Sequence, residues 1–474
     1  MPLLPVTISD GQVSGVDSLS SAASSVLNWQ ADEAGINRPR PGLAAYSLNG
    51  LTTTQVVALE RFPPYTVLID SARKFQYIAD VGPGTARDAS TSSTATQLEG
   101  TSRPTWVVGR EYIYAAGGGR IQRWNNTIGL SEALSSSPSC THIASIGQYL
   151  IANDVSNPNR YKWSDIGEGV WTTWPTANFS TVTGRAEIIV GLFESLGRLY
   201  VFGGGSLQIY EVGSDPTLPF DLVASTDSGL AAPYAFTRLD RQVAFLDHRR
   251  RIVIGDGVSG EPVSSAIDKD IRGFSTISDC FMYREDIGQH SSLVVRFPTE
   301  LRTFVLDLKG QKWSERKGYT APFLSDYPVS AYVYRSLDNA HILGSTSTTG
   351  ALYTLSTSSR QDLSGPLVCE RTTGWHDFGT QNRKRSNGVT AVLRRGTAAE
   401  GDTPGAYEVR VQNDDGPWSP WQQISIGTPS QYEQRRKAYF GGLFGRRRYC
   451  VRVSTSEDTS LVSLHDDITD TGRP

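Results

Sequence analysis

Seven β-hairpins recur along the chain at a nearly even interval. In each hairpin, two apolar runs of alternating pattern flank a turn rich in Gly, Asn or charged residues. The turns centre near residues 72, 118, 157, 204, 248, 299 and 348, so six intervals cover 276 residues and the mean period is 46. The paired runs are Tyr65–Ile69 with Phe75–Ile78, Tyr112–Ala116 with Ile121–Trp124, Tyr149–Ala152 with Tyr161–Trp163, Leu199–Phe202 with Leu207–Tyr210, Val243–Leu246 with Ile252–Ile254, Leu293–Phe297 with Leu301–Leu308, and His341–Leu343 with Leu352–Leu355.

Two of these hairpins are also similar in their residues. Tyr114–Trp124 aligns without a gap on Tyr200–Tyr210, and both segments contain three consecutive glycines, which we interpret as tight turns that need positive φ. A strand-only period of about 40 to 50 residues is typical of β-propeller blades, which stack around an axis because one blade buries too little surface alone. A bent β-sandwich would not explain the even period. The sequence therefore predicts an all-β fold with a β-propeller of six to seven blades, seven being favoured, and the N-terminal strand is a candidate to close the ring.

The hairpin period ends near Gly365, and the chain then changes character. The strand-like runs that follow predict a β-sandwich-like domain of about a hundred residues. The predicted division is an N-terminal arm and entry segment at 1–45, the β-propeller at 46–365 and the C-terminal β-sandwich domain at 366–474. The predicted sandwich runs are Leu367–Glu370, Gly388–Leu393, Tyr407–Val411, Gln422–Ile426, Tyr449–Val453 and Leu461–Leu464.

Composition and charge argue against several function classes. The chain has 45 Lys and Arg against 48 Asp and Glu, so it is not a strongly basic nucleic-acid binder as a whole. No apolar run is long enough to span a bilayer and Met1–Ser14 lacks the pattern of a signal peptide, so we expect neither membrane insertion nor secretion. The four cysteines lie far apart without a C-x-x-C pair, and we expect four buried thiols: Cys140, Cys280, Cys369 and Cys450.

Motifs for catalysis, cofactor binding or metal binding are missing from the sequence. The six histidines show neither H-x-x-x-H nor H-E-x-x-H spacing, and no phosphate-binding loop or nucleophile elbow is found. Asp414–Trp418 resembles the Asp-containing turn of sialidase propellers, but the sequence nominates no pair of carboxylates for glycosidase chemistry. His465, which precedes two aspartates, is interpreted as part of a surface turn rather than as a metal ligand. We predict no enzyme activity, no cofactor and no metal site.

Four basic clusters remain, and each lies in or beside a predicted turn: His248–Arg251, Arg383–Arg385, Arg435–Lys437 and Arg446–Arg448. A solvated turn is the simplest interpretation of each. The alternative is electrostatic contact with an acidic protein surface or with a DNA backbone. Aromatic residues flank the last cluster, which suits an interface. The candidate interface residues are therefore Arg446, Arg447, Arg448, Phe444 and Tyr449.

Several segments resemble one family, the packaged-DNA stabilisation proteins, or tail hub (nozzle) subunits, of short-tailed, podovirus-type bacteriophages. The first is Asn28–Leu43, with Glu33 and the ending Arg40-Pro-Gly-Leu43. The second is Tyr200–Gly213 followed by Pro219-Phe220, in which a strand ending in Phe-Gly leads to a Glu-aromatic strand and an aromatic-proline turn. Further similarity lies in Val305–Leu308 with Lys312-Trp313, and in Arg447–Val453 with Val462–Leu464.

This resemblance implies a structural virion protein, located in the tail and assembled in the host cytoplasm. It implies a hexameric ring of this chain below the portal and adaptor rings. Such a ring retains packaged DNA, forms part of the ejection channel and docks tail fibres or spikes. Double-stranded DNA in the lumen would be a weak, non-specific partner, because strong Lys and Arg contacts to phosphate would hold it back. A ring also needs heterologous interfaces that close by rotation.

Two other function classes stay open at this point. One is a propeller adhesin that binds a host glycan or receptor, and clustered tryptophans with acidic residues on loops would favour it. The other is a glycosidase that depends on Asp414 or Asp415.

Overall fold

The computed structural model of this chain describes residues 4–6, 25–31, 37–46, 54–80, 89–91, 97–182, 187–288, 290–320, 323–347, 351–356, 361–363, 365–395, 407–425, 433–454 and 459–472. The fold is all-β, a seven-bladed β-propeller joined to a β-sandwich. Among the described residues, helix is limited to a 3-10 turn, Glu168–Val170, and one short α-helix, Asp268–Gly273. No described helix has the length and apolar character to cross a bilayer.

Each of the first five blades is a four-stranded antiparallel sheet in chain order. Blade 1 contains Val56–Phe62, Tyr65–Asp70, Phe75–Ala79 and Ala89–Thr91. Blade 2 contains Thr105–Val108, Ile113–Ala116, Gln122–Asn125 and Gly129–Leu130. Blade 3 contains Ile143–Ile146, Tyr149–Asn153, Arg160–Trp163 and Phe179–Thr181. Blade 4 contains Gly191–Ser195, Arg198–Phe202, Leu207–Val212 and Phe220–Thr226. Blade 5 contains Phe236–Leu239, Gln242–Leu246, Ile252–Gly255 and Gly260–Pro262.

Blades 6 and 7 complete the ring and take strands from the N-terminal segment. Blade 6 contains Phe281–Ile287, His290–Phe297, Arg302–Asp307 and Lys312–Glu315. Blade 7 contains Val329–Arg335, Ala340–Ser345 and Leu352–Ser356, and its fourth strand is Gly42–Ala45. Between these blades lies the hairpin Gly318–Thr320 and Phe323–Ser325. The short strands Gln361–Asp362 and Gly365–Pro366 extend blade 7 on its outer side.

All seven predicted hairpins are confirmed, and each forms the second and third strands of one blade. The predicted closure by an N-terminal strand is also found, because Gly42–Ala45 pairs antiparallel with Leu352–Ser356 of blade 7. Residues 1–45 were expected to form an arm and entry segment. Their described strands instead belong to blade 7 and to the sheets of the sandwich.

Neighbouring blades are held together by clusters of buried apolar and aromatic side chains. Blades 1 and 7 share one such cluster, in which Val56 and Leu68 meet Ala331 and Ile342. The ring is therefore closed by packing as well as by strand pairing. All four cysteines are buried thiols that form no disulfide bond, as the sequence predicts.

The sandwich consists of two sheets, and the first of them continues blade 6. Leu27, in the strand Ser25–Leu27, pairs in parallel with Glu315 of blade 6, so propeller and sandwich share one nine-stranded sheet. Beyond it in this first sheet lie Val368–Thr372, Arg447–Ser454, Tyr407–Asn413 and Gln422–Ile424. The second sheet contains Trp29–Ala31, Asn37–Pro39, Thr459–Asp470, Lys384–Arg395, Glu433–Ala438, Leu4–Val6 and Leu443–Phe444. One apolar core runs from blades 5 and 6 into the space between these sheets.

The two triple-glycine turns differ from each other. Gly118 has φ 99°, as the prediction of positive φ requires. Gly203, Gly204 and Gly205 all lack positive φ, so the prediction is wrong for the second turn. Gly229, rather than a glycine of this turn, allows close backbone approach here, because a Cβ on Gly229 would lie 2.4 Å from the Gly204 carbonyl carbon.

Candidate interaction surface

The predicted interface residues lie on two consecutive strands of the sandwich, one in each sheet, and in the turn between them. Successive side chains of a strand point to opposite faces. Arg447 and Tyr449 face the space between the two sheets and are buried, and Phe444 in the adjacent short strand is buried too. Arg446 and Arg448 are half-buried at the surface. The five residues are therefore close together, but only two of them are open to a partner.

A buried charged network joins the two sheets behind this surface. Arg447 Nη1 lies 3.0 Å from Asp466 Oδ2, and both side chains are completely buried. The Tyr449 hydroxyl donates to the same carboxylate oxygen at 2.5 Å, and the Ser386 hydroxyl donates to Oδ1 at 2.5 Å. Burial, together with the negative charge of Asp466, raises the pKa of Tyr449 well above its ordinary value. These groups stabilise the sandwich rather than offer contacts to a partner.

The guanidinium of Arg447 has two further partners at this position. Its Cζ lies 3.8 Å from the ring centroid of Phe444, and its Nε donates to Asn413 Oδ1 at 2.7 Å. His465, expected in a surface turn, instead lies inside the long strand Thr459–Asp470. That prediction is wrong because this strand pairs with Lys384–Arg395 along its whole length and carries Asp466 into the core.

Four arginines and three tryptophans alternate along the outer face of the first sheet. Each neighbouring pair has a guanidinium carbon 4.2 to 5.2 Å from a ring centroid, within the range of a cation–π contact. We name this surface the Arg–Trp ladder, and its members in spatial order are Arg446, Trp375, Arg448, Trp418, Arg410, Trp421 and Arg452.

Two arginines of the Arg–Trp ladder form ion pairs with neighbouring carboxylates, and a third donates to a side-chain amide. Arg446 pairs with Asp415 at 2.8 Å, and Arg452 pairs with Glu370 at 2.6 Å. Arg448 Nε donates to Gln412 Oε1 at 2.5 Å. The ladder therefore presents stacked planar groups, and two of its four guanidinium groups are paired with carboxylates of the same chain.

A cavity of about 420 Å³ lies at one end of the ladder, beside Trp375 and Arg446. Its rim carries Asp377, Asp414 and Asp415. Asp414 has φ 47°, and its Oδ1 accepts hydrogen bonds from the backbone N–H of Gly445 at 3.0 Å and of Arg446 at 2.9 Å. The observed role of the Asp414 carboxylate is therefore to fix the turn that carries Arg446.

The other basic clusters mostly satisfy groups of the protein itself. In His248–Arg251, Arg251 pairs with Asp247 at 2.7 Å. In Arg383–Arg385, Lys384 is completely buried and its Nζ donates to three backbone carbonyls. Arg435–Lys437 lies within a strand, and Lys437 Nζ is 3.4 Å from Asp467. Within the described parts of the chain, no group of three His, Cys, Asp or Glu side chains is placed to hold a metal ion.

Sequence reasoning missed the tryptophans of the ladder and the role of Asp466. The alternation of Arg447, Tyr449, Val451 and Val453 does predict that Arg447 points inward. The spacing of Trp418 and Trp421 gave no comparable signal. Trp375 and Asp466 depend on strand register across distant parts of the chain, which a local pattern does not contain.

No family model and no curated protein matches this sequence. Solved structures that the chain resembles include the computationally designed Ika8 protein, at 12% identity, covering 66% of this chain and 100% of that chain with a TM-score of 0.38. The WD40 β-propeller domain of Doa1 matches at 9% identity over 67% of this chain and 98% of that one, with a TM-score of 0.41. PorZ, a surface component of the type-IX secretion system of Porphyromonas gingivalis, matches at 10% identity over 85% of this chain and 48% of that one, with a TM-score of 0.40.

Proposed function

We propose that this protein is a structural component of the tail of a short-tailed bacteriophage. In this proposal, six copies form a hub or nozzle ring that retains packaged DNA, lines part of the ejection channel and docks tail fibres or spikes. The ring lies below the portal and adaptor rings of the virion, and the chain performs no catalysis. The proposal rests on the sequence resemblance together with the position of its most N-terminal segment in the fold.

The observation that carries the proposal is the junction between propeller and sandwich. Asn28 Nδ2 donates to the carbonyl of Val368 in the sandwich at 2.8 Å and to that of Lys317 beside blade 6 at 2.9 Å. Arg40 Nε donates to Asn28 Oδ1 at 3.0 Å, and Arg40 pairs with Asp362 at 2.6 Å. The segment that resembles the phage family is thus part of the frame between two β units. A stiff frame of this kind suits a protein that transmits load.

A second ion pair supports the same junction on the side of blade 6. Arg316 pairs with Glu285 at 2.5 Å, and both side chains are buried. The guanidinium carbon of Arg40 lies 4.9 Å from the ring centroid of Tyr327, and that of Arg316 lies 5.8 Å from it. Because breaking a buried pair is costly, these contacts oppose relative motion of propeller and sandwich.

We assign the Arg–Trp ladder as the surface that contacts a neighbouring subunit or the adaptor ring. Arginine and tryptophan are enriched among the residues that dominate binding energy at protein interfaces. The exposed Asp415 carboxylate shields Arg446, and a carboxylate of a partner would replace it. A net charge of −3 for the whole chain also suits a DNA channel that does not hold phosphate tightly.

Native mass spectrometry of the full chain tests the assembly. We expect six subunits for the wild type. In the double variant Arg446→Ala, Arg448→Ala we expect the hexamer to weaken, because removing an interface arginine costs about 2 kcal/mol. Arg447 stays in place, since its loss would unfold the sandwich. The matched control, Arg198→Ala with Arg238→Ala, removes two exposed paired arginines of the propeller and is expected to keep the hexamer. A monomeric wild type, or a ladder variant that assembles normally, would contradict the proposal.

The second candidate function is an adhesin that binds a host glycan or receptor. The cavity beside Trp375 favours it, because polar side chains such as Gln381 and Asp377 line this cavity and can hydrogen-bond to sugar hydroxyls. Binding of an isolated monomer to a glycan array, lost in Trp375→Ala and retained in Trp163→Phe, would support this function. A hexamer without glycan binding would support the tail hub.

A further inference from the structure

The axis of the propeller contains a cavity of about 270 Å³ that is lined from all seven innermost strands. Aromatic side chains of five blades form much of its wall: Trp106, Phe193, Phe236, Phe281, Tyr283 and Tyr332. Its lining therefore offers flat apolar surfaces to a small molecule.

Two pairs of these rings are nearly parallel. Phe193 and Phe236 have centroids 4.4 Å apart and an interplanar angle of 11°. Tyr283 and Tyr332 have centroids 5.0 Å apart and an angle of 18°. Phe236, Tyr283 and Tyr332 are half-buried, so these rings keep surface open on the side of the cavity. A planar ring fits against such walls by offset stacking.

Arg103 lies at one end of this cavity, at the entry to blade 2. Its guanidinium carbon is 3.9 Å from the ring centroid of Phe281, and its Nη2 donates to the carbonyl of Ser330 at 2.9 Å. Arg103 also lines a second cavity of about 220 Å³. Arg103 and Phe281 therefore border both spaces.

The charge of Arg103 is not neutralised by any carboxylate in the part of the chain that the structure describes. The other arginine of the second cavity, Arg296, differs, because it pairs with Asp326 at 2.6 Å. Burial lowers the pKa of Arg103 to about 10, so the group stays a cation at neutral pH. A guanidinium has five N–H donors, and the bond to Ser330 uses only one of them.

Glu60 is the carboxyl group among the lining residues, and it does not pair with Arg103. Its Oε1 accepts from the backbone N–H of Arg61 at 2.9 Å. Burial raises the pKa of Glu60, whereas the hydrogen bond from the Arg61 N–H and the charge of Arg238 oppose that shift. Among the described lining residues, Arg103 is therefore the charged group that lacks a partner of opposite sign.

We propose that the axial cavity binds a small planar aromatic carboxylate, with its carboxylate on the free donors of Arg103 and its ring against the parallel aromatic side chains. Arg103 is half-buried, and a carboxylate that accepts two parallel hydrogen bonds from its guanidinium forms a strong charge-assisted contact. The aromatic walls supply the apolar contact. This site is independent of the assembly surface and goes beyond the proposed tail function.

Calorimetric titration of the full chain tests the site with two probes of equal shape, benzoate and neutral benzamide. We expect benzoate to bind the wild type, and benzamide to bind about tenfold more weakly because it lacks the charge. Arg103→Gln should weaken the affinity for benzoate by about tenfold and leave the affinity for benzamide unchanged. The affinity of Arg103→Lys for benzoate should lie between those of the wild type and Arg103→Gln. The control Arg272→Gln changes an exposed arginine that pairs with Asp268 outside the cavity lining, and this variant should bind benzoate like the wild type.

A second variant keeps the test decisive if the Arg103 variants fail to fold, which circular dichroism reveals. Thr105 lines the cavity and is half-buried, so Thr105→Phe fills the space while retaining Arg103. We expect this variant to bind neither benzoate nor benzamide. A crystal soaked with 4-bromobenzoate should show bromine between the aromatic side chains. Absence of benzoate binding to the wild type, equal binding by Arg103→Gln, or bromine only outside the cavity would each overturn the proposal.

Discussion

Arg446 and Arg447 are adjacent in sequence and have opposite environments. Arg447 and its partner Asp466 are completely buried, whereas the side chains of Arg446 and Asp415 are 32% and 83% exposed. Removing water strengthens a charge pair but makes the loss of either partner costly. An exposed pair is screened and contributes little. The two aspartates therefore differ sharply in their importance for stability, although both pair with an arginine of the same cluster.

We predict that Asp466→Asn lowers the free energy of unfolding by about 3 to 5 kcal/mol, because Arg447 is left with an uncompensated buried charge. Asp415→Asn, its matched control, should change the same quantity by less than about 1 kcal/mol. Urea denaturation at neutral pH measures both. Similar midpoints for the two variants would show that the buried network does not hold the sandwich together.

The buried ring of His142 leads us to predict that the stability of the protein depends on pH. Its ring is buried and stacks on Tyr234 at 5.1 Å, and its Nε2 lies 2.7 Å from the carbonyl oxygen of Pro233. Burial lowers the pKa of His142 from 6.5 to about 4. Between these values the unfolded chain binds the proton and the folded chain does not, so stability falls as the pH decreases from 6.5 towards 4.

We expect this histidine to lower the free energy of unfolding by about 2 kcal/mol between pH 7 and pH 5. Urea denaturation at both pH values measures it, and the variant His142→Gln retains a donor for Pro233 but cannot titrate. The variant should therefore lose less stability on acidification than the wild type. Equal losses in the two proteins would assign the pH dependence to other groups.

At the scale of elements, the sequence pattern identified strands in which apolar and polar residues alternate, and it missed strands that lack this alternation. The second and third strands of each blade are apolar and joined by a short turn, so their pattern is local. The strand Glu433–Ala438 reads Glu-Gln-Arg-Arg-Lys-Ala and has no apolar alternation, so it was missed. The outer strands of blades are only two or three residues long in blades 1, 2, 3 and 5, too short to give a period.

The strand Gly42–Ala45 closes the ring, so substitutions in it measure how much this closure contributes to the stability of the protein. Leu43 is 1% exposed and packs with Leu343 and Leu355 of blade 7. Leu43→Ala should lower the free energy of unfolding by about 3 kcal/mol, through lost apolar burial and the cavity that remains. Ala45→Ser, on the same strand at an exposed position, is the control and should stay within about 0.5 kcal/mol of the wild type. Equal melting temperatures for all three proteins would contradict a closing role.

At the scale of the whole molecule, propeller and sandwich are one structural unit. They share a nine-stranded sheet and an apolar core, and buried side chains of Asn28 and Arg40 connect them. The sequence predicted both units and the end of the repeat near residue 365. It did not predict their fusion, because the pairing of Leu27 with Glu315 joins positions far apart in the chain. The Arg–Trp ladder was missed for the same reason.

This fusion predicts a single cooperative transition in scanning calorimetry, with equal calorimetric and van't Hoff enthalpies. Arg40→Met removes the partner of Asp362 and the bond to Asn28, so the transition should shift to lower temperature and broaden or split. Arg198→Ala, which removes an exposed pair of blade 4, should leave the transition single and nearly unshifted. Two separate transitions in the wild type would show that the units unfold independently.

The closing strand has a consequence for biosynthesis. Ala45 pairs with Tyr353, and Gly42 pairs with Ser356. The ribosome therefore synthesises about 310 residues between the closing strand and the strand that it pairs with. At translation rates of about 5 to 20 residues per second, the early strand waits roughly 15 to 60 seconds for its partner. Throughout that interval a nascent chain exposes an unsatisfied edge. We therefore expect chaperones to stay bound to Gly42–Ala45 until the ring is complete. A permuted gene that places this strand after Ser356 should shorten the time for which chaperones stay bound.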